Sequence, residues 1–293
     1  MLKGCFTALI TPFTKGKVDE KSFKKLVEWQ IAEGIHGLVP CGTTGESPTL
    51  THDEHNHVIE LCVKVARGRV PVMAGTGSNS TDEAIAMTKH AQKVGADATL
   101  VVSPYYNKPT QEGLFQHFKA IHDATRIPLV IYNIPGRSVV DISDATMARI
   151  AALPRVVGQK DATGNLERPL TLRLQLGAKA NKLALFSGED STAAAFNLQG
   201  GIGCISVTSN IAPKLCAQVQ EACFKKDYIK AVKLTDALMP LHKAMFCETS
   251  PGPVKYAASL MKLCSAEMRL PLVLPAESSR KQVQQALKLL KLI

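Results

Sequence analysis

Short apolar runs rich in β-branched residues recur at near-regular intervals through the first two thirds of the chain. Several of these runs are continuous rather than alternating, as is typical of parallel strands that helices cover on both faces. The runs predict eight strands, at residues 6–11, 37–41, 70–76, 98–103, 127–133, 156–161, 183–187 and 204–208.

Helical patterns with start signals lie between these runs. Apolar positions follow a 3.6-residue period over residues 23–31, which predicts an amphipathic helix. Thr51 with Glu54, and Ser80 with Glu83, have the spacing of capping boxes at two helix starts. Further N-caps are predicted at Thr110, Ser143 and Ser191.

Eight strands, each followed by a helical segment, favour an α/β chain folded as a (β/α)8 TIM barrel. An open doubly wound sheet would show the same alternation. However, no GxGxxG follows the first strand and no GxxxxGK[ST] occurs, so a nucleotide-binding sheet loses its main support. After residue 210 only helical patterns remain, near 214–225, 228–246, 253–264 and 276–291. We therefore expect a catalytic barrel over residues 1–212 and a helical C-terminal region over 213–293 that packs on it.

Composition narrows the class of protein. Hydrophobic residues make up 45% and charged residues 20% of the chain, which excludes a disordered or fibrous protein. The eight cysteines form no CxxC pair, so neither a zinc ribbon nor a redox dithiol is indicated. No apolar stretch near the amino terminus is as long as a secretory signal or a membrane span, and we expect a cytoplasmic location.

The net charge of +10 raises the question of nucleic-acid binding. From Lys214 onward there are 13 basic and 6 acidic residues, so most of the excess charge falls on predicted helices. Aromatic residues make up only 5% of the chain, and no basic run carries interleaved aromatics for base stacking. We therefore expect a solvated lysine-rich surface, with no nucleic-acid and no membrane partner. A basic binding module on the same barrel is the non-enzyme alternative.

Unusual polar residues stand where the predicted strands end, which is where the chemistry of a barrel gathers. Lys160 lies near the end of the sixth strand. Desolvation there would disfavour the ammonium form and leave an amine able to attack a carbonyl carbon. The residues alone leave a second interpretation equally open, in which Lys160 points outward or pairs with Asp161 or Glu189.

The segment GTTGE at residues 42–46 follows the second strand. Its consecutive N–H groups, framed by glycines, could form an anion-binding nest, although a plain strand-to-helix turn is the commoner meaning of such a sequence. Tyrosines at the ends of strands four and five could relay protons or simply pack. Arg137 follows Pro-Gly in a loop, where a guanidinium could bind a carboxylate in a bidentate manner.

Three histidines, His52, His55 and His57, stand close together at a helix start. Residues 52 and 57 face different sides of that helix, and no acidic second shell is evident. The remaining histidines show no ligand spacing. We therefore expect no metal site.

Seven short motifs together resemble the dihydrodipicolinate synthase family, within the class I aldolases related to N-acetylneuraminate lyase. They stand in family order along nearly the whole chain, at residues 42–47 (GTTGES), 74–77 (AGTG), 103–107 (SPYYN), 132–137 (YNIPGR), 158–164 (GQKDATG), 187–190 (SGED) and 205–208 (ISVT). The resemblance implies a (β/α)8 barrel with a helical C-terminal region, usually assembled as a homotetramer that is a dimer of dimers. It also implies condensation of pyruvate with L-aspartate 4-semialdehyde to 4-hydroxy-tetrahydrodipicolinate, on the route to diaminopimelate and lysine, without a cofactor or metal.

By this resemblance, the Lys160 amine would form a Schiff base with pyruvate, and the protonated imine would serve as an electron sink. Loss of a methyl proton would give an enamine, which attacks the aldehyde carbon. Thr43, Tyr132 and Tyr106 would form the proton relay, with Tyr106 reaching in from a neighbouring subunit.

The resemblance also assigns the binding groups. The backbone N–H groups of Thr43 and Thr44 would hold the carboxylate of pyruvate, and Arg137 would hold that of the semialdehyde. Gly188 and Ile205 would line the pocket through backbone groups.

The alternative within the same fold is an aldolase that acts on another 2-oxo acid, such as sialic acid or a keto-deoxy sugar acid. Arg137 favours the first reaction, because similar lyases acting on sialic acid usually lack an arginine after the Tyr-Asn-Ile-Pro segment. Gln159 and Asp161 depart from the family pattern, and neither change removes a reacting group.

A regulatory site follows from the same resemblance. In lysine-inhibited members of the family, L-lysine binds at a subunit interface. Here Glu83 would pair with the ammonium group, while Asn79 and Tyr105 would bind the carboxylate. Because Tyr105 adjoins Tyr106, bound lysine would disturb the proton relay without entering the active site. The residues assigned to this site are Ser47, Pro48, His52, His55, Asn79, Glu83 and Tyr105, with Pro48 where a small residue is more usual.

Overall fold

The computed structural model describes residues 2–293, apart from the side chain of Lys179; residue 1, where the expected first domain begins, lies outside this range. Within it the strands are β1 (Gly4–Ala8), β2 (Phe13–Thr14), β3 (Lys17–Val18), β4 (Gly37–Val39), β5 (Met73–Gly75), β6 (Ala98–Val102), β7 (Leu129–Asn133), β8 (Val156–Asp161), β9 (Ala184–Ser187) and β10 (Gly203–Ser206). The α-helices are α1 (Glu20–Ala32), α2 (His52–Ala66), α3 (Thr81–Lys93), α4 (Gln111–Ala124), α5 (Pro135–Ser138), α6 (Asp144–Ala151), α7 (Arg168–Leu176), α8 (Ala193–Leu198), α9 (Pro213–Phe224), α10 (Tyr228–Ala244), α11 (Gly252–Leu260) and α12 (Glu277–Leu289).

Eight of the strands form one parallel sheet, in the order β4-β1-β10-β9-β8-β7-β6-β5. A single bridge between Leu38 and Val72 joins the two end strands and closes the sheet into a barrel. The prediction of a (β/α)8 barrel is therefore confirmed, and every predicted run overlaps one barrel strand.

The first strand is shorter and earlier than the apolar run indicates. It occupies Gly4–Ala8 rather than residues 6–11, because β10 pairs with the chain from Gly4 onward. Residues 9–11 are equally buried but leave the sheet: the Thr11 hydroxyl donates to the carbonyl of Gly45 at 2.7 Å. Burial alone therefore does not separate strand from buried loop.

An antiparallel hairpin of β2 and β3 follows, which the apolar runs in the sequence do not predict. Its two-residue strands are too short to give an apolar run. Its turn residues, Lys15 and Gly16, both have positive φ, at 54° and 76°, as a two-residue hairpin turn requires.

Side chains inside the barrel form a cluster of their own, separate from the layers between strands and helices. Phe6, Val39, Tyr132, Phe186 and Ile205 belong to this inner cluster. The rings of Phe6 and Phe186 meet edge to face at 5.5 Å. The barrel is thus filled from within, and space for a ligand remains at its end.

The helix starts follow the predicted caps with two exceptions. Thr51 and Glu54 form the predicted capping box, and Thr110 and Ser143 cap α4 and α6. The box at Ser80 is only half formed and that part of the prediction is wrong: Glu83 instead accepts the hydroxyl of Ser78 at 2.7 Å.

The second exception is Ser191. The prediction of a cap there is wrong, because Ser191 lies inside a short 3-10 helix, Asp190–Thr192. That helix runs directly into α8, whose N-cap is Thr192, with no side-chain cap hydrogen bond.

The four predicted C-terminal helices are present as α9 to α12. Helix α9 packs against β1 and also against α10, while α12 packs against both α10 and α11. Helix α9 therefore links the barrel to the last three helices. A division of the chain at residue 212 stays a proposal.

Candidate active site

A cavity of about 210 Å³ opens at the carboxyl end of the barrel strands. It is lined by Cys41, Gly42, Thr43, Ser47, Pro48, Gly75, Gly77, Leu100, Val102, Tyr105, Tyr132, Ile134, Arg137 and Ser138. These residues come from four strand ends and the loops that follow them. Six residues singled out from the sequence therefore meet at this cavity, namely Thr43, Ser47, Pro48, Tyr105, Tyr132 and Arg137.

Lys160 lies on β8 in register with Tyr132 on β7 and Phe186 on β9. Both of these neighbours belong to the inner cluster, so the Lys160 side chain points into the barrel. It is 6% exposed, and its Nζ lies 4.1 Å from the centre of the Tyr132 ring. The interpretation in which Lys160 points outward is therefore excluded.

Pairing of Lys160 with a carboxylate is excluded as well. Within residues 2–293, no carboxylate oxygen lies within 4.0 Å of its Nζ. Asp161 instead accepts the N–H and hydroxyl of Thr163, at 2.9 and 2.7 Å. Burial raises the pKa of Asp161, which these two hydrogen bonds partly oppose.

The turn after β4 begins as a short 3-10 helix, Thr43–Gly45. Its later N–H groups bond back into the turn, with Gly45 and Ser47 donating to the Gly42 carbonyl at 3.0 and 3.4 Å. In the described structure, the N–H groups of Thr43 and Thr44 donate to no backbone carbonyl, as is usual for the first residues of a helix. The turn therefore offers two adjacent donors beside the cavity.

Close backbone approach holds this turn in place. Gly75 on β5 lies so near that a Cβ atom there would stand 2.3 Å from the Cys41 carbonyl oxygen. Only glycine fits at that position. The AGTG motif at residues 74–77 thus serves the geometry of the neighbouring turn.

A buried ion pair also holds the turn in place. Glu46, in the left-handed conformation at φ 56°, accepts from Nζ of Lys255 at 2.6 Å, and both side chains are fully buried. Its other oxygen accepts the N–H of Arg269 at 3.1 Å. Burial lowers the pKa of Lys255, and the Glu46 carboxylate opposes that shift. Lys255 is 209 residues away in sequence, so no local pattern indicates this pair.

Arg137 lies on the short helix α5 at the rim of the cavity. Its guanidinium donates to the carbonyl of Ser250 at 3.3 Å, from the segment that precedes α11. It also borders a second cavity of about 160 Å³, between the turn and the C-terminal region. No carboxylate of the described residues lies within 4.0 Å of this side chain, which leaves its fork available to a ligand.

Tyr105 and Tyr106 differ sharply in exposure. Tyr105 lines the cavity, whereas Tyr106 is 89% exposed and has a positive φ of 72°. A bulky residue with positive φ is uncommon and is retained where the fold over-determines it. Tyr106 therefore projects away from its own barrel.

Gly188 and Ile205 stand at the ends of neighbouring strands. Ile205 is fully buried in the inner cluster. The N–H of Gly188 already donates to the Asp161 carbonyl at 2.6 Å, and a Cβ there would stand 2.5 Å from that of Ala162. The backbone of Gly188 is thus fixed beside the end of β8.

The residues expected to bind lysine fall into two groups. Ser47, Pro48 and Tyr105 line the main cavity, whereas His52 and Glu83 lie on the outer faces of α2 and α3, 3.8 Å apart. Asn79 precedes α3, and its carbonyl accepts from Asn107 at 2.8 Å. His55 is buried, and burial together with the nearby His52 lowers its pKa to about 4.

The histidine cluster divides among different partners. His57 lies 2.9 Å from a carboxylate oxygen of Glu20 on α1, while His52 faces Glu83 and His55 is turned inward. No group of three or more His, Cys, Asp or Glu side chains in the described part of the chain could hold a metal ion. No helix of that part has the length and apolarity to cross a bilayer.

Comparison with known proteins places the chain in a family. The model of the dihydrodipicolinate synthetase family matches residues 1–290. The 4-hydroxy-tetrahydrodipicolinate synthase of Rhodospirillum centenum is 62% identical over 287 residues, which cover 98% of each chain. A crystal structure of the chloride-inhibited dihydrodipicolinate synthase of Acinetobacter baumannii, complexed with pyruvate, has a TM-score of 0.97 and 48% identity over the full length of both chains. That of the Cyanidioschyzon merolae enzyme with lysine bound has a TM-score of 0.95 and 35% identity, covering 99% of each chain.

The fold and the cavity define a (β/α)8-barrel enzyme with a buried, unpaired lysine at the mouth of its barrel. Over nearly its whole length this enzyme matches one sequence family and the structures of that family. The chain belongs to the dihydrodipicolinate synthetase family.

Proposed function

We propose that this enzyme condenses pyruvate with L-aspartate 4-semialdehyde, through a Schiff base on Lys160, to give 4-hydroxy-tetrahydrodipicolinate. The observation that carries the proposal is the Lys160 amine, which is buried at the barrel mouth with no carboxylate partner. An amine in such surroundings is suited to attack the keto carbon of a 2-oxo acid. The names of the relatives favour this reaction over that of an aldolase acting on sialic acid or a keto-deoxy sugar acid.

In this proposal the keto group of pyruvate loses its oxygen as water when the Lys160 imine forms. The protonated imine then withdraws electrons, and a methyl proton leaves to give the enamine. Tyr132, whose ring lies beside the Lys160 amine, and Thr43 on the turn relay these protons. Tyr106 completes the relay of a neighbouring subunit, which its 89% exposure on its own barrel supports.

The two carboxylates of the substrates bind at two different places in this proposal. The N–H groups of Thr43 and Thr44 hold the carboxylate of pyruvate, and Arg137 at the rim holds that of the semialdehyde. Gly188 and Ile205 line the pocket between them. With the two carboxylates bound in this way, the reactants are arranged outward from Lys160.

Regulation by L-lysine is part of the proposal. The ammonium group of the inhibitor pairs with Glu83, and its carboxylate binds Asn79 and Tyr105. Ser47, Pro48, His52 and His55 complete the site. The Cyanidioschyzon merolae relative with lysine bound supports this assignment, as does the position of Ser47, Pro48 and Tyr105 on the wall of the main cavity.

We also propose a homotetramer made of two dimers and a cytoplasmic location, as the family resemblance implies. The chemistry above draws on no cofactor and no metal. The partners proposed are thus two small substrates, an inhibitor and further copies of the chain, with no nucleic acid and no membrane.

A coupled assay with pyruvate and L-aspartate 4-semialdehyde tests the proposal directly. We expect a cyclic product that a reductase-coupled or absorbance readout detects, and one pyruvate-derived mass increment per chain after borohydride reduction. Activity with a sialic or keto-deoxy sugar acid, and none with the semialdehyde, would instead identify the alternative aldolase.

A further inference from the structure

The loop between β9 and α8 places an acidic side chain at the barrel mouth that has no assigned role. Glu189 follows Gly188, two residues beyond the end of β9. The Ser187 side chain fixes its backbone from both sides: its hydroxyl accepts the Glu189 N–H at 3.1 Å and donates to the Glu189 carbonyl at 2.9 Å. The position of this residue is therefore set by the strand that neighbours β8.

The Glu189 carboxylate itself has no partner. Across residues 2–293, no basic group lies within 4.0 Å of it, and it accepts no hydrogen bond. The side chain is only partly buried and borders an open groove of about 280 Å³ toward α10. A carboxylate that is open to this groove and is bonded to no described group is free to accept a proton.

Several charged groups face this carboxylate. Burial raises its pKa, and the nearby basic groups of Lys160 and Arg137 oppose that rise. The groups around it are Lys160 and Asp161 of β8, Arg137 of α5, Asp190 beside it, and His242 and Lys243 of α10 across the groove. Glu189 thus lies within electrostatic range of both the amine that would carry pyruvate and the guanidinium that would hold the second substrate.

We infer that Glu189 is the base that deprotonates the ammonium group of the second substrate, so that the amine can close the ring. This inference rests on the proposed function, because it needs pyruvate on Lys160 and an amino-aldehyde bound at Arg137. The product is cyclic, so the amine nitrogen must form a bond to the former keto carbon. A protonated amine has no lone pair for that bond.

In this inference Glu189 transfers the protons that ring closure and the release of Lys160 require. The Glu189 carboxylate takes a proton from the ammonium, the nitrogen lone pair forms the new C–N bond, and the π pair of the iminium moves to the Lys160 nitrogen. Glu189 gives its proton to that nitrogen and takes another from the ring nitrogen. The C–N bond to Lys160 then breaks with its electron pair and frees a neutral amine. The ring nitrogen lone pair forms the cyclic iminium, and Glu189 keeps one proton.

Glu189→Gln tests this role, with Glu189→Asp as the conservative variant. Glu167→Gln is the matched control, because Glu167 is exposed in the loop after β8 and its carboxylate forms no hydrogen bond or ion pair with the described residues. General acid–base groups typically contribute about 10²- to 10⁴-fold. We expect Glu189→Gln to lower kcat by about that factor, Glu189→Asp to restore part of it, and Glu167→Gln to leave it unchanged.

Two further readouts separate a base from a merely structural residue. We expect Glu189→Gln to form the pyruvate adduct normally and, with both substrates and borohydride, to accumulate on Lys160 an adduct carrying the mass of both. The acidic limb of the pH profile of kcat/KM for the semialdehyde should also disappear in this variant. Unchanged kcat, or no accumulation of the two-substrate adduct, overturns the inference. Absence of any pyruvate adduct in the wild-type enzyme would instead overturn the proposed function.

Discussion

Lys160 and Lys255 are both buried lysines, and each lies against an aromatic ring. Nζ of Lys160 is 4.1 Å from the centre of the Tyr132 ring, and Nζ of Lys255 is 4.2 Å from that of Phe13. They differ in one respect: Lys255 has a carboxylate at 2.6 Å, and Lys160 has none within 4.0 Å among the described residues. Burial is common to both lysines, so the missing carboxylate partner, rather than burial, is what distinguishes Lys160 as the candidate for reaction.

The surroundings of the two lysines follow from their places in the fold. Lys255 lies on α11 in the C-terminal region, where its ion pair with Glu46 anchors the turn after β4. Lys160 lies on β8 in register with Tyr132 of β7, and Tyr132 lines the cavity. Lys255 thus holds the turn that forms one wall of the site in which Lys160 is proposed to act.

The largest effect is expected for Lys160. Replacing it by alanine should abolish both turnover and the borohydride-trapped pyruvate adduct, because the other buried lysine among the described side chains, Lys255, is paired with Glu46. Peptide mapping by mass spectrometry of the wild-type enzyme should locate one adduct per chain, at Lys160. An adduct on another lysine, or one that persists in Lys160→Ala, would reverse the roles that the comparison assigns.

A large effect of a different kind is expected for Lys255. Lys255→Met removes the cation that pairs with the buried Glu46 carboxylate, and breaking a buried ion pair in this way typically costs about 3–5 kcal/mol. At about 2 °C per kcal/mol for a chain of this size, Tm should fall by roughly 6–10 °C. The fraction that remains folded should still form the pyruvate adduct on Lys160.

Lys281→Met is the matched control for this stability measurement. Lys281 pairs with Glu277 on α12, but both side chains are about two-thirds exposed, at 67% and 72%, and exposed pairs contribute little. Its Tm should therefore stay within about 1 °C of the wild-type value. Equal losses for the two variants would show that burial of the Lys255 pair does not matter.

Replacing Arg137 should weaken the binding of the semialdehyde more than that of pyruvate. A hydrogen bond to a charged group is worth about 1.5–3 kcal/mol, so Arg137→Ala should weaken apparent semialdehyde affinity roughly 10- to 150-fold. Steady-state KM values for both substrates provide the measurement, with Arg149→Ala as a control for an exposed arginine. An unchanged KM for the semialdehyde together with a steep rise for pyruvate would contradict the assignment.

The smallest effect concerns free L-lysine as a ligand. We expect partial inhibition at millimolar concentration, since allosteric coupling is typically about 1–3 kcal/mol. Glu83→Ala should remove that inhibition and leave uninhibited turnover largely intact, whereas Glu112→Ala on α4 should not alter it. Full wild-type activity in saturating L-lysine, with no binding detected by calorimetry, would show that the lysine site is absent.

The sequence predicted the features that depend on local patterns. The continuous apolar runs of a parallel sheet located the eight barrel strands, and helix caps such as Thr51 and Thr110 were found from spacing alone. The resemblance brought Thr43, Tyr132 and Arg137 together, and the cavity contains all three.

Features that depend on tertiary contacts were not predicted. Glu46 and Lys255 are distant in sequence, and nothing near either residue signals the other. The β2–β3 hairpin is too short for periodicity, and Glu83 exchanges its expected capping contact for a hydroxyl two residues before the cap. For Glu83, a partner close in space replaced the one that spacing in sequence indicates.

The closure of the barrel has a consequence for its fluctuations. Residues 158–161 of β8 are paired with both β7 and β9, whereas β4 and β5 meet through one bridge, supported by hydrogen bonds from Leu38 to Pro71 and from Gly75 to Pro40. Local opening is easiest where pairing is sparsest, so these two amides should exchange with deuterium before those of β8. The turn that carries Thr43 and Thr44 begins at this seam. A carboxylate bound by this turn would restrain the junction of β4 and β5. Binding of the first substrate should therefore slow deuterium exchange of the Leu38 and Gly75 amides, on the far side of the barrel from Lys160.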